Sequence, residues 1–150
     1  MISKDTIKNK YPLPVYNYRV SIEDTDISFS EVSGLAVEYE PIVYKHGLSW
    51  KEGSDIMPGM KQSIRITMKK GLVKKGHVLH DWIGTVNQTK VSKKNLLIRL
   101  CDESGAPVIS WHVLSAVPLK LTVPTFDAAS NDVAIESLEV MAVDITVTFH

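Results

Sequence analysis

The sequence predicts a mainly β protein, a closed or nearly closed antiparallel barrel or sandwich with one flanking α-helix and one long loop. Three observations along the 150 residues lead to this prediction. Segments of alternating apolar and polar residues recur, only one segment has a helical period, and glycine and proline separate the segments. Many strands with a single helix favour a barrel or sandwich that carries the helix on its outside.

The amino-terminal half contains three predicted strands and the long loop. Residues 16–22 alternate aromatic or β-branched residues with polar ones, and residues 64–71 repeat this pattern up to a glycine. A third strand follows Gly34 and is bent or placed at an edge by Pro41. Between residues 46 and 59, glycine, proline and polar residues predict a long loop or an irregular hairpin. Since a loop of this length rarely persists without a use, we expect it to make contacts.

The predicted helix lies near residues 74–88. Its apolar residues form one stripe, made of Val78, Leu79, Trp82, Ile83 and Val86.

The carboxy-terminal half returns to β structure. Residues 95–101 and 107–116 are predicted strands, joined by a hairpin turn at 102–105 and followed by an extended segment to residue 123. Along residues 133–149 the apolar positions shift from odd to even numbers and back. Such phase slips predict bulges or a bent strand at a barrel corner.

The charge balance argues against a polyanionic partner. Seventeen basic and seventeen acidic residues leave no net field, so we expect no specific nucleic-acid binding. Charge is locally uneven, because six Lys or Arg and no acid occur between Lys61 and Lys75. This run predicts either a solvated strand end or a surface that meets an acidic partner or a neighbouring subunit.

The chain is expected to form a single domain, residues 1–150, of which residues 1–10 are a flexible N-terminal arm. That arm lacks the apolar centre of a signal peptide, which predicts synthesis in the cytoplasm. No apolar stretch approaches the roughly 20 residues of a membrane helix, so we expect no membrane insertion of the subunit alone. A single cysteine, Cys101, leaves no intramolecular disulfide.

The candidate reactive groups lack the partners that their chemistry requires. They are His77 with His80, Ser110 with His112, and Glu136 with Glu139. The histidines have no third metal ligand at a recognisable spacing, and no glycine-flanked turn exposes the serine. The two glutamates are interpreted as the exposed face of a strand. The sequence therefore predicts no catalytic, cofactor or metal site and a protein that is not an enzyme.

An ordered set of segments adds a family resemblance. It consists of residues 11–14, 29–35, 58–59, 69–71, 81–83, 102–108 and 131–139. This set resembles the phage tail-tube family, the inner tube proteins of contractile phage tails and extracellular contractile injection systems. The resemblance covers about residues 11–140. One departure is Ser115, where relatives often have Asn.

The resemblance implies a structural subunit that forms six-membered rings, which stack into a hollow tube inside a contractile sheath. Its partners would be further copies of itself, sheath and baseplate proteins, and possible lumen cargo. The assembled tube would become part of a released extracellular particle or virion. This chain would perform no covalent step. Two alternatives stay open: a tube-initiator or baseplate-proximal ring protein of the same fold, and a β-barrel that binds a small ligand.

Two surfaces are candidates for contacts. The long loop predicts contact between subunits through His46, Leu48, Trp50, Ile56 and Met57. The polar side of the helix is a candidate for facing the sheath through Lys75, His80 and Asp81.

Overall fold

The computed structural model describes residues 12–87 and 92–150. The strands of this part are β1 (Tyr18–Ile22), β2 (Thr25–Ile27), β3 (Glu31–Ser33), β4 (Tyr39–Tyr44), β5 (Asp55–Lys61), β6 (Ile64–Gly71), β7 (Lys94–Cys101), β8 (Pro107–Thr122), β9 (Ile135–Ala142) and β10 (Asp144–Phe149). The helices are α1 (Ser49–Glu52) and α2 (Val78–Gly84), the latter followed by a 3-10 turn at Thr85–Asn87. The predicted flexible arm at residues 1–10 lies outside the described residues.

Eight strands form one antiparallel sheet that folds back on itself. Its order is β2-β1-β7-β8-β9-β6-β3, with β10 also paired to β8. The first part of β8 pairs with β7 on one edge and with β10 on the other, whereas its last part pairs with β9. The two halves of the sheet therefore share β8, and the predicted mainly β, nearly closed sandwich is confirmed.

Alternate residues of both halves fill the space between them. In β6, Ile64, Ile66 and Met68 are buried, and in β9 Leu138 and Val140 are buried in the same way. This is the period of two that the sequence shows, because successive strand side chains point to opposite faces. Each such side chain contributes about 1.5 to 3 kcal/mol when fully buried.

The two long strands bend at neighbouring points. Ser115 in β8 has a φ of 54°, and its backbone N–H donates to Asn95 Oδ1 at 3.0 Å. Opposite this bend, Val143 separates β9 from β10 and donates its N–H to the Leu114 carbonyl at 3.1 Å. The buried positions change from even numbers up to Ala142 to Ile145. The bent strand predicted from the apolar phase slip is thus confirmed.

The helix is shorter than predicted. It spans Val78–Gly84 rather than residues 74–88, the last of which lies outside the described residues. Leu79 and Trp82 are buried, whereas the predicted stripe residues Val78 and Val86 are exposed. Glycine disfavours helix at both ends, since Gly76 precedes α2 and Gly84 closes it.

The predicted loop at 46–59 is a protruding hairpin. Among the described residues, strands β4 and β5 pair only with each other, and the four-residue helix α1 lies at their tip, in addition to the one flanking helix predicted. Of the two predicted forms the irregular hairpin is the one observed, with Pro41 facing Pro58 inside this pairing. A two-stranded ribbon consists only of edge strands, which tolerate proline. We call residues 39–61 the arm.

Two further boundaries differ from the prediction. Tyr16, expected in the first strand, precedes β1 and is exposed. The strand expected to follow Gly34 begins only at Tyr39. Gly34 itself lies with a φ of +91° against β6, where a Cβ would meet the Arg65 carbonyl oxygen at 2.2 Å. The chain therefore crosses β6 in direct backbone contact before it enters the arm.

Replacing Gly34 with Ala should lower the free energy of unfolding by about 2 kcal/mol or more, because it adds both a left-handed Cβ and a backbone overlap. Gly53→Ala is the matched control: its φ is +86° but nothing lies within 4 Å. It should cost only about 1 kcal/mol. Urea denaturation of both variants checks this, and equal losses would contradict the proposed overlap.

Replacing Ser115 with Asn should raise the free energy of unfolding by up to about 1 kcal/mol, because Asn tolerates positive φ better than Ser. Ser115→Val should lower it by about 1 to 2 kcal/mol, because a β-branched residue is strained there. Thermal denaturation of the two variants provides the comparison. A Val variant as stable as the Asn variant would show that the bend does not constrain this position.

Candidate functional site

The arm carries apolar side chains on both of its faces. Ile42 faces Met57 across the ribbon and Val43 faces Ile56, so these two pairs lie on opposite faces. All four side chains are exposed in the single chain. A two-stranded hairpin is marginally stable in water by itself. An arm with two apolar faces is therefore suited to being covered by other protein surfaces.

The tip of the arm is organised around His46. Its backbone N–H donates to Ser49 Oγ at 2.7 Å, and its Nδ1 accepts from the Leu48 N–H at 3.2 Å. Its Nε2 lies 3.9 Å from Glu52 Oε2 and 4.0 Å from Asp55 Oδ2. These contacts hold the tip in one shape. Leu48 and Trp50 project outward from it, with Trp50 82% exposed.

The predicted contact residues therefore separate into two roles. The structure groups Leu48, Trp50, Ile56 and Met57 as exposed side chains of one arm. His46 instead makes contacts within the tip and is only 29% exposed at its side chain. Contact of this set with another subunit stays a prediction.

The base of the arm is tied to the body by one ion pair. Lys61 Nζ at the end of β5 binds the Asp144 carboxylate at the start of β10. Hydrogen bonds from Lys61 and from the Ile145 N–H lower the pKa of Asp144 below its ordinary value. A lowered carboxyl pKa means that this contribution is present above the ordinary pKa and is lost as pH falls through the lowered one. The tie is thus intact at neutral pH.

An open groove lies where the folded sheet fails to close. It has a volume of about 370 Å³, and its lining includes Tyr18, Val32, Leu35, Leu100 and Trp111. These side chains belong to both halves of the sheet, because β1, β7 and β8 supply one wall and β3 with the segment after it supplies the other.

Tyr18 fixes the polar edge of this groove. Its hydroxyl donates to the Phe29 carbonyl at 2.7 Å. Burial, and next the charge of Glu31, raises the pKa of Tyr18. The phenol is therefore neutral at physiological pH. No sequence pattern predicts this groove, because its lining residues come from strands that are distant along the chain.

The basic run between Lys61 and Lys75 is largely neutralised within the chain. Besides Lys61, Arg65 Nη1 lies 3.4 Å from Glu139, and Lys69 Nζ lies 3.6 Å from Glu31. Their partners come from neighbouring strands, which the linear sequence does not show. This arrangement favours the interpretation as a solvated sheet face over that of a surface for an acidic partner.

A buried charge cluster lies beneath α2. Glu136 is 0% exposed, with Lys70 Nζ 3.2 Å from its Oε1 and His80 Nε2 2.8 Å from its Oε2. The interpretation of Glu136 as exposed was wrong. Strand parity could have located both residues, because Lys70 continues Ile64, Ile66 and Met68, and Glu136 precedes Leu138.

Some of the side chains expected to face the sheath already have partners within the chain. His80, a candidate for facing the sheath, binds Glu136 on the body, although its side chain remains 43% exposed. Asp81 Oδ2 lies 2.8 Å from His77 Nδ1, and Lys75 is exposed. Two of the three candidate side chains thus already bind a neighbour, His80 on the body and Asp81 on the helix itself. Whether it faces a sheath stays a prediction.

The remaining reactive groups do not converge. Ser110 Oγ is hydrogen-bonded to His150 Nε2 at 2.7 Å rather than to His112. Across the part of the chain that the structure describes, no three His, Cys, Asp or Glu residues are placed to hold a metal ion. In the same part no helix is long and apolar enough to cross a membrane. Cys101 is buried.

Replacing Glu136 with Gln should lower the free energy of unfolding by roughly 3 to 5 kcal/mol, because the Lys70 charge is left buried without its counter-charge. Glu139→Gln breaks a more exposed ion pair on the same strand and should cost less than about 1 kcal/mol. Urea denaturation measures both. The double variant Lys70→Met with Glu136→Leu should lose less than Glu136→Gln. Equal losses in the two single variants would refute a structural role for this charge.

The fold agrees with the comparisons. The T4-like virus tail tube protein gp19 family matches residues 14–146. In a structure of an extracellular contractile injection system, the PVC sheath-tube complex in its extended state, one chain is 36% identical. That alignment covers 100% of both chains with a TM-score of 0.91.

A second structure, the PVC sheath/tube terminator in its extended state, contains a chain that is 38% identical. The match covers 93% of this chain and 98% of that one with a TM-score of 0.86. Hcp1 from Flavobacterium johnsoniae, at 14% identity and a TM-score of 0.57 over 90% of this chain and 97% of that one, shares the fold alone. No curated protein sequence matches significantly.

The family match spans most of the described chain, including both bent strands, the arm and α2, and a tube-complex chain aligns with it from end to end. The chain therefore belongs to the tail tube protein family of T4-like viruses and is a tube subunit of the kind found in contractile injection systems.

Proposed function

We propose that six copies of this chain form a ring and that the rings stack into a hollow tube inside a contractile sheath. The alignment over the full length of both chains with a member of a sheath-tube complex carries this proposal. In the proposed particle, sheath contraction drives the rigid tube through a target envelope, while the lumen holds cargo. The particle assembles in the cytoplasm and acts outside the cell.

The work of the subunit in this proposal is mechanical. The family is a structural one, and the described residues do not form the pairs considered from the sequence: Ser110 binds His150, and His80 binds the buried Glu136. We infer that the chain is not an enzyme and acts as a single domain. Baseplate and sheath proteins are its proposed neighbours at the ends and outside of the tube.

The arm supports stacking in particular. Its exposed residues Leu48, Trp50, Ile56 and Met57 form an apolar surface that the isolated chain leaves in water. Extended exposed apolar surface is typical of an interaction site. Since α2 lies on the body and away from the paired strands of the arm, its polar side with Lys75 and Asp81 is the proposed sheath-facing surface.

A second candidate role is a ring at the end of the tube. The observation in its favour is that a terminator structure contains a chain as similar as that of the sheath-tube complex, at 38% against 36% identity. Counting copies in the intact particle separates the roles. A main tube subunit is present in many rings, whereas a terminal ring holds a fixed small number.

Replacing residues 45–54 with Asn-Gly should abolish tube growth. This turn suits a two-residue hairpin, so β4 and β5 can still pair while the tip is removed. Electron microscopy of the purified variant should show no stacked tubes, and circular dichroism should show an unchanged monomer fold. A variant with a Gly-Ser tip of the original length separates the effect of length from that of the side chains. Tubes of normal length from the Asn-Gly variant would defeat the proposed role of the tip.

A further inference from the structure

Two uncovered apolar surfaces lie at different places on the chain. The first is the tip of the arm, where Trp50 is 82% and Leu48 is 51% exposed. The second is the open groove between the two halves of the sheet, lined by Tyr18, Leu100 and Trp111 among others. Exposed tryptophan side chains are costly in water, because each can bury about 150 to 250 Å².

The two surfaces are complementary in shape. The tip projects the exposed Trp50 side chain from a loop that the hydrogen bonds of His46 with Ser49 and Leu48 hold together. The groove is concave, and its volume of about 370 Å³ is in the range that accommodates small aromatic groups. An aromatic anchor in an apolar pocket is the commonest form of a strong contact in protein interfaces.

The charges beside the two surfaces are also complementary. At the tip, His46 lies near both Glu52 and Asp55, whereas Lys51 next to Trp50 makes no ion pair among the described residues. At the groove, Glu31 contributes a carboxylate that is 56% exposed, with Lys69 3.6 Å away. A lysine arriving beside Trp50 would therefore share the exposed Glu31 carboxylate with Lys69. Such matching guides the orientation of an interface more than its strength.

A contact between two different surfaces of identical chains has a geometric consequence. Because the tip of one copy would occupy the groove of the next, the second copy keeps its own tip free for a third. Head-to-tail contacts of this kind form a closed ring only if the last copy meets the first. If it does not, copies add without limit, as they do in a stack of rings. A contact of tip with tip would instead end at a pair.

We propose that Trp50, together with Leu48, inserts into the groove between β1 and β3 of a second copy of this chain in the adjacent ring. The inference rests on the proposed tube function and adds the receiving surface to it. Leu100 and Trp111 form one wall around the inserted indole, and Val32 with Leu35 forms the other. Glu31 lies next to Lys51 of the inserted tip.

A photoreactive phenylalanine analogue placed at Trp50 tests this directly. Tubes are assembled from a mixture of isotopically heavy and light subunits, irradiated and digested, and the linked peptides are identified by mass spectrometry. The expected links join heavy to light chains and fall on residues 18, 31–35, 98–100 and 111. The same probe at Met60, which is 79% exposed at the base of the arm, is the control and should not label the groove.

The outcomes separate this inference from the proposed function. Tubes whose Trp50 probe labels the outer face of β6 or another arm would overturn the groove contact and leave the tube function standing. Failure of the unmodified chain to form rings or tubes at all would defeat both. If the probe at Trp50 prevents assembly while the unmodified chain assembles, the same crosslinking experiment is done with the probe at Leu48. Leu48 lies on the same tip, so its links should fall on the same groove residues.

Concentration dependence gives a second readout. Trp50→Ala should raise the protein concentration needed for tube growth by at least about tenfold, in keeping with the loss of an aromatic anchor. Trp50→Phe should keep it within a few-fold of the unmodified chain, because an aromatic ring remains. If Trp50→Ala and the unmodified chain need the same protein concentration for tube growth, the proposed insertion of the indole is wrong.

Discussion

The fold depends on two long strands that bend together. β8 and the β9–β10 run pair along most of their length, and both change direction where Ser115 faces Val143 across the ladder. A straight pair would leave one flat sheet with an apolar face in water. Because the pair bends, the strands on either side are brought face to face and bury Val113, Ile66 and Leu138 between them. The backbone strain at Ser115 is the local cost of this closure.

The bend also explains where charge is buried. It brings β6 and β9 under α2, so Lys70 and Glu136 meet on the inner face at one end of the sheet. His80 then links the helix to this pair, beside the buried Leu79 and Trp82. An ion pair of this kind adds little net stability, but it penalises any other placement of the helix, because a displaced helix would leave a charge unpaired. The helix is thereby held at a defined place on the body.

The sheet does not close completely, and the single chain leaves two apolar surfaces uncovered. β2 and β3 lie at the two ends of the strand order and do not pair, which leaves the groove open. The arm leaves the body after Gly34 crosses β6 and pairs only within itself. A monomer therefore exposes a concave and a convex apolar surface at once. In the proposed tube, neighbouring copies would complete these surfaces, and the stability of the arm would then be linked to assembly.

The sequence by itself determined the strand content, the bend near Val143, the glycine turn before β8 and the family, because period-two patterns, turn residues and ordered motifs are local. It also singled out the residues of the arm tip, as a long loop or an irregular hairpin. Only the tertiary structure decided that His80 binds Glu136 and that the basic run is paired. It alone revealed the groove. These features join residues tens of positions apart, and their environment is set by which strands become neighbours, a choice that no local pattern records.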